Sequence, residues 1–134
     1  MVTGRLLVLA AAAAFTISAG SALAADIKLP GMCKACHTLK AGKHRIGPSL
    51  AGVFGRKAGT AEGFKKYSKL MKAAGAKGLE WEAKTLDEYL TDPTKFLRKF
   101  TGESSGRGKM AFKLTGDKKA EKRAAVIEIL KNAK

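Results

Sequence analysis

Cys33-Lys34-Ala35-Cys36-His37, CKACH, contains both cysteines of the chain and one of its two histidines. Three chemistries use such a cluster: a redox disulfide, a metal site and covalent attachment of haem. A thioredoxin-like C-x-x-C sits at a helix start behind a strand in a βαβ setting. The stretch before Cys33, DIKLPGM, has no strand pattern and carries Pro30 and Gly31. A structural zinc site needs four ligands, and only Cys33, Cys36, His37 and His44 are on offer. Covalent haem answers the spacing. Two cysteines three apart each add to one vinyl group of the same porphyrin, and the next residue, a histidine, is held beneath the iron where imidazole coordinates. The motif predicts one haem c attached through Cys33 and Cys36, with His37 on the iron.

The N-terminus says where this chemistry happens. One positive charge at Arg5, the apolar run LLVLAAAAAFTIS and the small-residue stretch ending Ala22-Leu23-Ala24 follow the layout of a secretory signal peptide. We expect residues 1–24 to be removed, with cleavage after Ala24 or Ala25, leaving 25–134 as one exported, periplasmic domain. The rival is a retained anchor, since residues 6–25 are long enough to cross a bilayer. The second half of that run is mostly Ala, Ser and Gly, no basic cluster flanks it, and Cys33 follows almost at once without a spacer. Export also sharpens the cysteine question, because an oxidising compartment pairs free thiols unless something else consumes them.

The 134 residues include 26 Lys and Arg against 11 Asp and Glu, a net charge of +15. The lysines are scattered from Lys28 to Lys134, as on a well-solvated surface. A chain with only six Phe, two Tyr and one Trp, one of those Phe in the leader, makes a poor nucleic-acid binder once exported. An acidic protein surface is the better partner, because complementary charge speeds encounter without tight binding.

Along the chain, TLKAGKHRIGPSLAGVFGRKAGTAEGF reads as turns with short helical pieces. FKKYSKLMKAAG reads as a short helix closed by Gly75. TLDEYLTD reads as a helix with Thr85 as N-cap and Pro93 as its stop. PTKFLRKFTGESSGRGKMAFKLTG opens with a helical turn and becomes a Gly/Ser-rich loop around Met110. DKKAEKRAAVIEILKNAK is the clearest helix, with Asp117 at its start and Ala120, Ala124, Ile127 and Leu130 or Lys131 at 3–4 residue steps. No segment alternates convincingly. The expected fold is all-α, short helices and long loops wrapped around a large apolar group.

A sixth iron ligand has to come from the opposite face of the haem. Methionine is the usual partner of histidine in electron carriers, and Met32, Met71 and Met110 follow the leader, besides His44. Met32 adjoins Cys33 and cannot cross the ring. Met110 sits in a Gly-rich loop between helices, where an apolar side chain needs a reason, so it is favoured over Met71.

CKACH, GPSLAGVFGRKAGTAEGF, LEW, TLDEYLTDPTKFL and GKMAF, followed by the C-terminal helix, together resemble the class I cytochromes c, most closely the soluble periplasmic kind of purple bacteria. The resemblance implies the cytochrome c fold around one haem, His37 and Met110 as axial ligands, and one-electron transfer without substrate turnover. It implies that the Pro48 carbonyl accepts the Nδ1 proton of His37 and that Arg56, Tyr67 and Trp81 surround the propionates. Tyr89 would lie near the methionine sulfur and Phe112 at the exposed haem edge. The partners implied are acidic redox proteins, such as a cytochrome bc-type complex, oxidase, reaction centre or dehydrogenase. They would meet a monomer that touches membranes only transiently.

Two departures from the family stand out. Only Asp26 to Met32 precede Cys33, so the usual N-terminal helix against the last helix is missing and low stability is expected. GRGKM replaces the common PGTKM, so Gly108 stands where a threonine hydroxyl would reach a propionate. The rival function is a five-coordinate haem that senses a ligand or turns over peroxide. It would need a distal acid–base pair, which the second histidine does not convincingly supply.

Overall fold

A computed structural model describes residues 27–134; the predicted leader lies outside them. The described residues form five α-helices: α1 (Gly31–Lys34), α2 (Lys69–Ala76), α3 (Ala83–Thr91), α4 (Pro93–Thr101) and α5 (Ala120–Asn132). Among the described residues there is no strand, only an isolated antiparallel bridge between Lys57 and Glu80. The all-α expectation holds, and turns fill 35–68 with no helical piece.

Local chemistry sets the helix ends. Ser68 caps α2 by accepting the Met71 N–H at 3.0 Å. The helix does not stop at Gly75, as expected, but runs to Ala76, with Gly78 at φ 88° just beyond it. Gly75 is there for packing: a Cβ on it would lie 2.1 Å from the Ala58 carbonyl oxygen. Thr85 is not the N-cap of α3. Glu82 is the N-cap, and Thr85 at the third helical position accepts the Glu82 N–H at 2.8 Å, closing a reciprocal capping box. Pro93 ends α3 and also begins α4, while the Asp92 carboxylate caps Lys95 N–H at 3.1 Å. α4 is therefore a full helix instead of a single turn, closed by Gly102 at φ 78°. A 3-10 turn, Asp117–Lys119, leads into α5.

α4 packs on α2 and α3, and α3 also packs on α5. The core between them holds Leu70, Met71, Leu86, Leu90, Phe96, Leu97, Val126, Ile127 and Leu130, with Trp81 and Tyr89 at its centre-facing rings. α5 is less bare than expected. Val126, Ile127 and Leu130 are buried, and Leu29, two residues before α1, joins the same core. The register of α5 also differs from the expected one: Ala124 faces solvent and Arg123 is buried.

Candidate functional site

α1 is a single turn begun by Pro30, whose carbonyl accepts Cys33 N–H at 2.9 Å. The Cys33 carbonyl then accepts Cys36 N–H at 3.1 Å and His37 N–H at 2.9 Å. This tight winding puts both thiols and the imidazole on consecutive turns. Neither cysteine is in a disulfide. Burial, then the neighbouring Cys36, pushes the Cys33 thiol above its ordinary pKa.

His37 is fixed by the loop that follows. Its Nδ1 lies 2.8 Å from the Pro48 carbonyl oxygen. A carbonyl only accepts, so Nδ1 carries the proton and Nε2 keeps its lone pair for a metal. Burial lowers the His37 pKa, while the hydrogen bond to Pro48 works against that shift. Gly47 makes room: a Cβ there would lie 2.4 Å from His37 Cε1 and 2.7 Å from Nδ1. The Gly47 N–H in turn donates to the Cys36 carbonyl at 2.8 Å, so loop and motif are tied together.

The next carbonyl along serves the predicted cation. Arg56 donates through Nη2 to Ser49 at 3.3 Å and through Nη1 to Ala51 at 3.1 Å. Its Nε is buried without a partner among the described residues. Desolvation lowers the Arg56 pKa, offset in part by Tyr67 nearby. A buried donor on a cation with no acceptor is a costly arrangement unless an anion meets it. The Tyr67 hydroxyl accepts Ala61 N–H at 3.0 Å, leaving its own proton to donate. Trp81 and Tyr89 are buried with ring centroids 4.8 Å apart. Burial raises the Tyr89 pKa well above the usual phenol value, with a smaller push from Tyr67.

Met110 lies in the loop between α4 and α5, half-buried against the shared core, and Phe112 is exposed. Met71 sits inside the core on α2. His44, the other histidine, has both nitrogens engaged: Nε2 donates to the Glu62 carbonyl at 2.8 Å, and Nδ1 accepts Ser49 N–H at 3.0 Å. It braces two loops and has no lone pair to spare for a metal or a distal acid–base role. Among the described residues no group of three His, Cys, Asp or Glu could hold a metal ion. A cavity of about 720 Å³ opens beside Arg56, Ser49 and His44 but includes none of Cys33, His37 or Met110. The side chains, not the cavity, mark the site.

The packing role of Gly47 and the bracing role of His44 escaped the sequence reading. Gly47 directly precedes Pro48, so the need for a small residue beside a clamped ring was the available signal. Nothing local announces the His44 brace, since Glu62 is 18 residues away.

No family model matches the chain. It is 46% identical over 98 residues to cytochrome c2 of Cereibacter sphaeroides, covering 67% of this chain and 79% of that protein. It is 47% identical over 103 residues to cytochrome c-550 of Novispirillum itersonii, covering 76% and 89%. Among solved structures, ferricytochrome c2 of Rhodopseudomonas palustris superposes with a TM-score of 0.68 at 42% identity, covering 77% of this chain and 90% of that one. The chain belongs to the cytochrome c2 family. As a cytochrome c2 relative it is a soluble electron carrier with one covalently bound c-type haem, and not an enzyme. The residues fit that group: two free thiols on successive turns, an imidazole with Nε2 available, and a buried arginine Nε lacking the acceptor that a propionate would provide.

Proposed function

We propose that this cytochrome is a periplasmic one-electron shuttle, freed of residues 1–24, in which Cys33 and Cys36 form the thioethers and His37 and Met110 hold the iron. When bound, the haem supplies a centre that gains and loses one electron. The protein's own residues hold that centre still. Pro48 keeps His37 in one tautomer, Gly47 admits its ring, and Arg56 with Tyr67 offers donors to the propionates. Trp81 and Tyr89 exclude water from the interior, while Phe112 lines the exposed edge. The observation that carries the reading is the His37–Pro48 hydrogen bond of 2.8 Å, which aims an unprotonated Nε2 from beside two free thiols. Donor and acceptor are acidic redox proteins, of the kind found in a bc-type complex, an oxidase, a reaction centre or a dehydrogenase. The basic surface supports this.

Acid–acetone extraction of the purified protein tests the attachment: colour stays with the polypeptide, and free extraction of haem rejects the thioethers. The ferric protein is expected to show the weak red-edge band of sulfur ligation. Met110→Ala abolishes it and Met71→Ala keeps it; the reverse result moves the sixth ligand to Met71.

A further inference from the structure

α5 buries one arginine. Arg123 is 8% exposed, on the same helix face as Val126, Ile127 and Leu130. A guanidinium in that setting needs partners for its donors. Its Nε donates to Asp87 Oδ1 of α3 at 2.7 Å, and its Nη1 donates to the carbonyls of Leu114 at 2.8 Å and Gly116 at 3.0 Å. Both carbonyls belong to the backbone that leaves Met110.

That backbone is gripped from its other side by the end of α3. Leu114 N–H donates to the Leu90 carbonyl at 2.7 Å, Thr115 Oγ1 to the Thr91 carbonyl at 2.8 Å, and Lys113 Nζ to Asp92 at 3.0 Å. The approach to Met110 is pinned as well. Gly108 N–H donates to Thr94 Oγ1 at 3.1 Å, and Arg98 reaches the Gly106 carbonyl through Nε at 2.9 Å and Nη2 at 2.6 Å. Between these anchors, Met110, Ala111 and Phe112 make no hydrogen bond with any of the described residues. A methionine sulfur has no proton to lock it, so its position is set by its flanks. The Gly-rich loop around it gains much freedom once a flank is released.

We propose that Arg123 is a positioning residue for the sixth ligand: oriented by Asp87, it grips Leu114 and Gly116 and keeps the loop closed with Met110 Sδ towards the iron. The proposal rests on Met110 being that ligand. If Arg123 merely fastened α5 to α3, losing it would lower stability without changing how often the loop opens. The two roles separate under a competing ligand.

Imidazole added to the ferric holoprotein can reach the iron only when Met110 has left, so its apparent affinity reports the population of the open loop. Arg123→Gln is expected to bind imidazole about tenfold more tightly than wild type, equivalent to about 1.4 kcal/mol, with unchanged haem content and helical circular dichroism. Arg123→Lys, which keeps the charge without the fork, falls between the two. Asp87→Asn leaves the arginine but frees its orientation. It shifts affinity the same way by less, and it stands in if Arg123→Gln does not fold. Unchanged imidazole affinity in Asp87→Asn and in any folded Arg123→Gln, whatever the thermal midpoint does, overturns the proposal. Met110→Ala holoprotein keeps the two ideas apart: it should bind imidazole without competition, and if it binds no better than wild type the ligand assignment fails instead.

Discussion

The two flanks of the proposed haem site hold His37 and Met110 by opposite means. On the His37 side the proposed ligand is itself bonded: one ring nitrogen is fastened to Pro48, Gly47 leaves the space its ring occupies, and Ser49 next door anchors Arg56. On the Met110 side the proposed ligand makes no hydrogen bond among the described residues and only its neighbours are tied, from Gly106 to Gly116. An imidazole offers a second nitrogen for the protein to hold, whereas a thioether offers none. Ligand loss and ligand exchange should therefore belong to the Met110 side, while perturbing the His37 side should damage haem loading itself.

The largest break in that contrast is expected at Gly47. A side chain there starts 2.4 Å from His37 Cε1, against backbone that is already bonded to Cys36. Overpacking of this kind costs about 1–3 kcal/mol where neighbours yield, and a clamped ring yields little. Gly47→Val should sharply reduce the fraction of protein recovered with haem, read as the haem-to-polypeptide ratio by absorbance and mass. Gly47→Ala should lose part of it. A fully loaded Gly47→Val protein with an unchanged spectrum would mean that the ring is not held as tightly as the hydrogen bond suggests.

Arg56 comes next. If its orphaned Nε meets a propionate, Arg56→Met removes a positive charge beside the redox centre. The oxidised state carries one more positive charge than the reduced state, so losing Arg56 favours oxidation and lowers the potential. A change of about 59 mV corresponds to tenfold for a one-electron couple, and a shift of about that size is expected at most, because the group is only half-buried. Stability should drop too, by about 1–3 kcal/mol for a hydrogen-bonded charged group. A potential that stays put or rises would remove the propionate from the account of Arg56.

These two sites show what the sequence could tell. CKACH pointed to the thiols and a candidate ligand through covalent chemistry alone, and the Pro48 and Arg56 contacts were readable through the resemblance of GPSL and FGRK to a known pattern. Contacts made by distant segments were not legible. Gly75 looked like a helix stop because glycine often is one, yet its role comes from Ala58, 17 residues earlier. Nothing singles out Arg123 among the 26 Lys and Arg of the sequence. Its acceptors sit on α3 and in the loop after Met110, and no local pattern encodes them. α4 looked like a single turn because its cap, Asp92, is also the residue on which α3 ends.

Charge on the outer surface sharpens the comparison further. Lys34 and Lys40, on the His37 side, are exposed and form no ion pair among the described residues. On the other side Lys99 lies 3.6 Å from Glu88 and Lys113 lies 3.0 Å from Asp92, so part of their field is cancelled. The association rate with an acidic redox partner should fall steeply as the Debye length shrinks from about 30 Å at 0.01 M salt to about 10 Å at 0.1 M. Lys40→Glu should slow it more than Lys99→Glu at low salt, with no change in the spectrum. Stopped-flow rates that are equal for the two variants, or indifferent to salt, would reject steering from the His37 side.

The smallest effect is expected at Asp92, where the outer tie of the Met110 loop is also a helix cap. Lys113, then the Lys95 N–H, holds its carboxyl below the usual carboxylate range. A group whose folded pKa is depressed stabilises the fold above its unfolded pKa, and that contribution fades as pH falls through the folded one. Asp92→Asn retains a capping oxygen but gives up the charge, so its thermal midpoint should lie slightly below wild type at neutral pH. The gap should close in acid, where both proteins are uncharged at this position, and should narrow in high salt because the Lys113 pair is exposed. A gap independent of pH would assign the loss to the cap. The sulfur band should survive the substitution, because Arg123, Leu90 and Thr91 still hold the loop after Met110. Loss of the band in Asp92→Asn would mean that the outermost tie, and not the buried arginine, keeps the methionine in place.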